Sequence, residues 1–180
     1  LVDKFHIGSI TKSMTASLAA VLVEEGKIHW TTTVGQVLKD VDVHESFKNV
    51  TLEQFLTNTG GVEENVPAAL WSQAWEARGS LREQRLQLAK GILSKAPHVT
   101  PGTKQVYSNA GFSIAGVMLE EVANASYEDL LREKLFKPLG MGDAGFRAPA
   151  TNGLVDQPYG HTKSWFTLQA VDPEPAGDNP

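Results

Sequence analysis

The stretch from Ala110 to Ala123 constrains this chain more than any other. Phe112, Ile114, Ala115, Val117, Met118, Leu119 and Val122 leave it apolar on most sides. A helix of that kind has to be enclosed by other elements, so it belongs at the centre of its domain. The other apolar stretches are of helical type too. Ser13 to Glu25 runs without Gly or Pro, repeats Leu18, Val21 and Leu22 at helical spacing, and meets its stop signal at Gly26. Val66 to Ala77 and Ser80 to Ala96 read as two helices split by Gly79. Ser126 caps another, Tyr127 to Phe136, ended by Pro138 and Gly140. Thr33 to Leu38 reads as a helical turn, and Thr51 with Gln54 and Ser80 with Glu83 have capping-box spacing.

Gly26 to Trp30 is a short extended segment, and Lys39 to Asn49 is a solvated loop. Asp40, Asp42 and Glu45 in that loop do not match the spacing of a calcium site. Trp71 and Trp75 share a helix face, which reads as core before it reads as a cleft lining. Arg78, Arg82 and Arg85 either attract a carboxylate or form a solvated face, and the solvated face is the preferred reading. Beyond Met141 the residues Gly, Pro, Asp and Asn dominate, which predicts loop or a short hairpin held by Tyr159, Trp165 and Phe166. The expected organisation is a single domain over 1–180, with a helical region 1–141 and a loop-rich tail 142–180.

Composition closes off several classes of function. A chain of 180 residues with 41% hydrophobic content can bury a core. Its net charge of −5, with basic residues scattered, argues against a nucleic-acid surface. It contains no cysteine, which excludes disulfides and cysteine-ligated metals, and its five histidines have no paired spacing that would hold a metal. The longest apolar run, Ala16 to Val23, is too short to span a bilayer, so no transmembrane segment is expected.

Two short motifs carry chemistry. Ser9 and Lys12 are three apart at the start of the first helix, which places a hydroxyl and an amine on one face of its first turn. A serine hydroxyl is a weak nucleophile without a base beside it, and a lysine amine in its neutral form can be that base. Taken alone, such a tetrapeptide occurs by chance in a chain of this length. Far downstream lies Tyr107-Ser108-Asn109. A phenol can relay a proton and an amide can hold a lysine or a substrate carbonyl. Taken alone, a packed tyrosine and a helix-capping asparagine explain it as well.

Together the motifs resemble those of the class C β-lactamases and their relatives, the low-molecular-weight penicillin-binding proteins, D-alanyl-D-alanine carboxypeptidases and family VIII esterases. Phe5 to Ser13 is similar to the nucleophile motif, and Pro101-Gly102 through Tyr107-Ser108-Asn109 to the second motif. Leu52 to Gly61 is similar to the loop after the first helices, and Phe136 to Met141 to the family's helix exit. Order and separation fit over nearly the whole chain. Asn58 stands where the family often has a histidine, in a loop of structural character. The family's third motif is not found. His161-Thr162-Lys163 lacks the following glycine and is read as a loop segment.

The resemblance implies a mainly α chain, the helical subdomain of the β-lactamase/transpeptidase-like α+β fold, with most of the antiparallel sheet lying outside it. The chain then reads as a piece of something longer. It also implies acyl transfer. Ser9 attacks a carbonyl, Lys12 takes its proton, Tyr107 relays that proton to the leaving group, and Asn109 holds Lys12 and the substrate amide. The implied partner is a small-molecule β-lactam, ester or D-amino-acid peptide, with no cofactor, and a periplasmic or secreted setting. The competing reading is a non-catalytic fragment or binding module that keeps the motifs without turnover.

Overall fold

The computed structural model describes residues 3–75 and 79–171. Among them the chain forms two compact units, one of residues 12–142 and one that joins residues 3–11 to residues from 143 onward.

The larger unit is helical. Its elements are α1 (Thr11–Glu24, entering at Lys12), α2 (Val34–Val37), α3 (Glu45–Lys48), α4 (Leu52–Leu56), α5 (Ala68–Trp75), α6 (Leu81–Leu93), α7 (Asn109–Ala123) and α8 (Tyr127–Leu131). A π-helical turn, Arg132–Phe136, follows α8 and leads into the exit that begins at Phe136. Helix α7 is central, as its composition requires. Ile114, Ala115, Met118 and Leu119 are fully enclosed, and α7 packs against α2, α4, α6 and α8. Leu18 and Leu22 of α1, Phe47 of α3, Phe55 of α4, Leu93 of α6 and Leu131 of α8 are buried as well. Each such side chain contributes about 1.5–3 kcal/mol by leaving water.

The helix starts follow local chemistry. Thr33, Thr51 and Ser80 each accept a backbone N–H from the residue three on, whose side chain reaches back to the cap, so all three capping boxes are closed. Ser126 caps α8 through the N–H of Asp129.

Several expectations are corrected. Gly26 to Trp30 is not an extended strand. The backbone before α2 faces the residues before α4, but the chain turns into α4 at Leu52, so pairing stops at the single bridge Thr33–Thr51. Lys39 to Asn49 is not loop throughout, because Phe47 buries itself and closes α3 around it, while Asp40, Asp42 and Glu45 stay solvated. Arg82 and Arg85 are not a solvated face. Arg85 is only 5% exposed and grips two carboxylates, and Arg82 donates to Glu121 at 3.0 Å. The segment His161 to Lys163 is a strand and not a loop. Arg78 and the side chains of Trp71 and Trp75 lie outside the described residues.

That strand belongs to the second unit. Here β1 (Gly160–Lys163) pairs antiparallel with β2 (Leu168–Val171), in the register Gly160–Val171 to Lys163–Leu168. The Ser164 N–H donates to the Thr167 carbonyl at 2.9 Å and closes the turn. Trp165 and Phe166 sit at its tip, 92% and 93% exposed, so they do not anchor the hairpin. The Tyr159 hydroxyl does act locally, lying 2.7 Å from the carbonyl oxygens of both Thr151 and Leu154. The Lys4 N–H donates to Gln157 Oε1 at 2.7 Å and fastens the first residues to this unit. Among the described residues, these two strands form the one sheet, and no helix is long and apolar enough to cross a membrane.

Candidate active site

Ser9 stands on a 3-10 turn, Gly8–Ile10, that leads directly into α1. Gly8 adopts φ +50°, a left-handed conformation that glycine reaches without strain. The Ile10 N–H then donates to the Ile7 carbonyl at 3.1 Å, and the Thr11 N–H reaches the carbonyls of Gly8 and Ser9. Ser9 is exposed on that turn.

Lys12, on the first turn of α1, meets the second motif. Its Nζ donates to Asn109 Oδ1 at 2.6 Å, across 97 positions of sequence. The same ammonium lies 4.9 Å from the centre of the Tyr107 ring and 5.5 Å from that of Phe112. Both ring faces attract a cation, and the amide oxygen fixes its direction. Tyr107 is 45% exposed.

The N-cap of α7 is Ser108, not Asn109. Ser108 Oγ accepts the Gly111 N–H at 3.0 Å and donates to the Glu63 carbonyl at 2.6 Å. Asn109 therefore begins the helix with its side chain on Lys12. The 58–63 loop is the template on which this turn lies. Asn58 takes the N–H groups of Val106 and Ser108, Thr59 that of Gly102, and Gly61 that of His98. Gly61 has φ +82°, and a Cβ on it would fall 2.6 Å from the Val99 carbonyl oxygen, so the close approach requires glycine.

One turn along α1 from Lys12, Thr15 Oγ1 lies 2.8 Å from the Tyr127 hydroxyl, tying α1 to α8. Burial pushes the Tyr127 phenol above its ordinary range, and the Thr15 hydrogen bond opposes that. Beneath its ring lies the Arg85 guanidinium, 5.3 Å from the ring centre. Arg85 donates to both oxygens of Glu120 and both of Glu128, at 2.8–3.3 Å. Burial works to lower the guanidinium's affinity for its proton, but the two carboxylates overcome that and raise it, so Arg85 is a permanent cation.

Three of the four motif residues, Lys12, Tyr107 and Asn109, are thus brought together, and Ser9 is placed on the turn that opens α1. Sequence reasoning named Asn58 only as a departure in a structural loop and Phe112 only as an apolar helix position, and gave neither a part in the site. Among the described residues no three His, Asp or Glu side chains are grouped to hold a metal.

The model of the Beta-lactamase family matches residues 3–179. The chain belongs to that family. Among curated relatives it is 28% identical over 186 residues to "Unguisins hydrolase ungD'" of Aspergillus campestris, covering 98% of this chain and 33% of that protein. It is 27% identical over 145 residues to "Putative penicillin-binding protein PbpX" of Bacillus subtilis, covering 81% of this chain and 33% of the relative. The chain thus spans about a third of the length of these curated relatives. Among solved structures, a D-stereospecific amidohydrolase from Streptomyces superimposes with a TM-score of 0.72 over 94% of this chain and 52% of its own, at 24% identity. That likeness fixes the fold as the helical part of the β-lactamase-like architecture.

Proposed function

We propose that this chain carries the nucleophile, base and proton relay of a serine acyl hydrolase, with Ser9, Lys12, Tyr107 and Asn109 in those roles. The observation that carries the reading is the 2.6 Å bond from Lys12 to Asn109 with the Tyr107 ring alongside, which unites two motifs 97 residues apart. Family membership supports a hydrolase of β-lactamase type. Ser9 Oγ bonds to the acyl carbon while its proton passes to the neutral amine of Lys12. The tetrahedral oxyanion then collapses, and the C–N or C–O bond breaks. The departing nitrogen or oxygen takes the proton through Tyr107. Water cleaves the Ser9 ester by the reverse proton path. Asn109 keeps the amine directed and binds the substrate amide. The substrate class is a β-lactam, an ester or a D-amino-acid peptide. The relative named as an unguisins hydrolase supports the hydrolase reading.

Covalent labelling tests this. A fluorescent penicillin or an activated phosphonate is expected to label Ser9, and Ser9→Ala to abolish the label. Lys12→Ala slows labelling by about a thousandfold or more, since nucleophile and base act as one unit. Labelling that survives Ser9→Ala identifies another nucleophile and rejects the assignment.

A further inference from the structure

We infer that Asn58 is a positioning residue for Tyr107, an inference that rests on the hydrolase reading above. Its backbone sits at φ 59°, in the left-handed region that asparagine tolerates better than most residues. In that conformation both of its oxygens face the second motif. The backbone carbonyl accepts the Val106 N–H at 2.8 Å, and side-chain Oδ1 accepts the Ser108 N–H at 3.0 Å. These are the N–H groups of the residues on either side of Tyr107. The Ser108 N–H lies on the peptide plane that leaves the Tyr107 Cα and the Val106 N–H on the plane one residue before it, so the turn is held on both sides of Tyr107, whose ring stands 4.9 Å from Lys12 Nζ.

The clamp is itself held. Thr59 and Gly61 accept from Gly102 and His98 in the same strip, and Ser108 Oγ donates to the Glu63 carbonyl, so the two loops are laced from end to end. Asn58 supplies a side-chain bond from this loop to the backbone N–H that follows Tyr107. It acts through the turn that carries Tyr107.

Two substitutions separate positioning from folding. Asn58→Gly keeps the left-handed backbone and the bond to Val106 but deletes the acceptor for Ser108. Asn58→Asp keeps an acceptor oxygen. In Asn58→Gly the amide exchange protection of Ser108 is expected to fall by about tenfold, the order of one lost hydrogen bond. Val106 and Met118, the latter in the core of α7, keep theirs. Phosphonate labelling of Ser9 is expected to slow by about ten- to a hundredfold, as small misplacements of a catalytic group do. Asn58→Asp restores both to within a few-fold. Labelling of Asn58→Gly at the unsubstituted rate, or Ser108 protection that does not change, overturns the inference. So does a parallel loss of protection at Met118, which marks general destabilisation. Absence of Ser9 labelling in the unsubstituted chain instead overturns the hydrolase reading, and with it the catalytic part of this inference, whatever the exchange rates.

Discussion

Lys12 shows how much of a site a single side chain can specify. It is one hydrogen bond from Asn109 and lies against two aromatic faces, so its charge has an amide oxygen and π-density for company. Asn109→Asp would replace the amide with a carboxylate, which favours the charged amine. Labelling of Ser9 in that variant is expected to slow at least about tenfold at neutral pH, and its rate–pH profile to move to higher pH. Measuring the second-order labelling rate from pH 6 to 10 checks this; an unshifted profile would show that Lys12 does not act as the base. The convergence of Lys12, Tyr107 and Asn109 was legible because it is written in residue type and spacing. Asn58 was not, because a left-handed asparagine in a Thr-Asn-Thr-Gly-Gly turn looks the same whether or not its side chain holds anything.

Between elements, the buried ionic cluster is what local reading misses. Arg85 of α6 meets Glu120 of α7 and Glu128 of α8, partners 35 and 43 positions away that only the packing around α7 brings within reach. Before that packing is known, an arginine on a polar helix face looks solvated. The capping boxes at Thr33, Thr51 and Ser80 were legible for the opposite reason, since both partners lie within one turn. The strand from Gly160 to Lys163 escaped because it is exposed on both sides and has no apolar alternation to announce it. Removing one member of a buried ion cluster strands the others. Arg85→Met is therefore expected to cost about 3–5 kcal/mol, measured by urea unfolding. Adding Glu120→Leu and Glu128→Leu to it should recover part of that loss, because no charge is then left uncompensated. A triple variant less stable than Arg85→Met alone would show that the carboxylates hold more than the arginine.

At the scale of the whole molecule, Tyr127 links stability to pH. Its phenol ordinarily titrates near 10.0, and burial raises it in the fold. The unfolded chain therefore loses this proton first as pH rises, so stability falls from about pH 10 up to the folded value, whereas below pH 10 the contribution is fully present. Tyr127→Phe is expected to lose about 1 kcal/mol at pH 7 with the Thr15 hydrogen bond, yet to decline less between pH 9.5 and 11. Urea midpoints across that range decide it, and parallel declines would assign the alkaline instability elsewhere. The segment bearing Ser9 joins a unit whose other residues begin at 143, and its Lys4 amide waits for Gln157, 153 residues downstream. At about 5–20 residues per second, a ribosome needs on the order of ten seconds to supply that partner. Residues 12–142 emerge in the meantime, so during synthesis Lys12, Tyr107 and Asn109 can assemble while the nucleophile's own unit is still being translated.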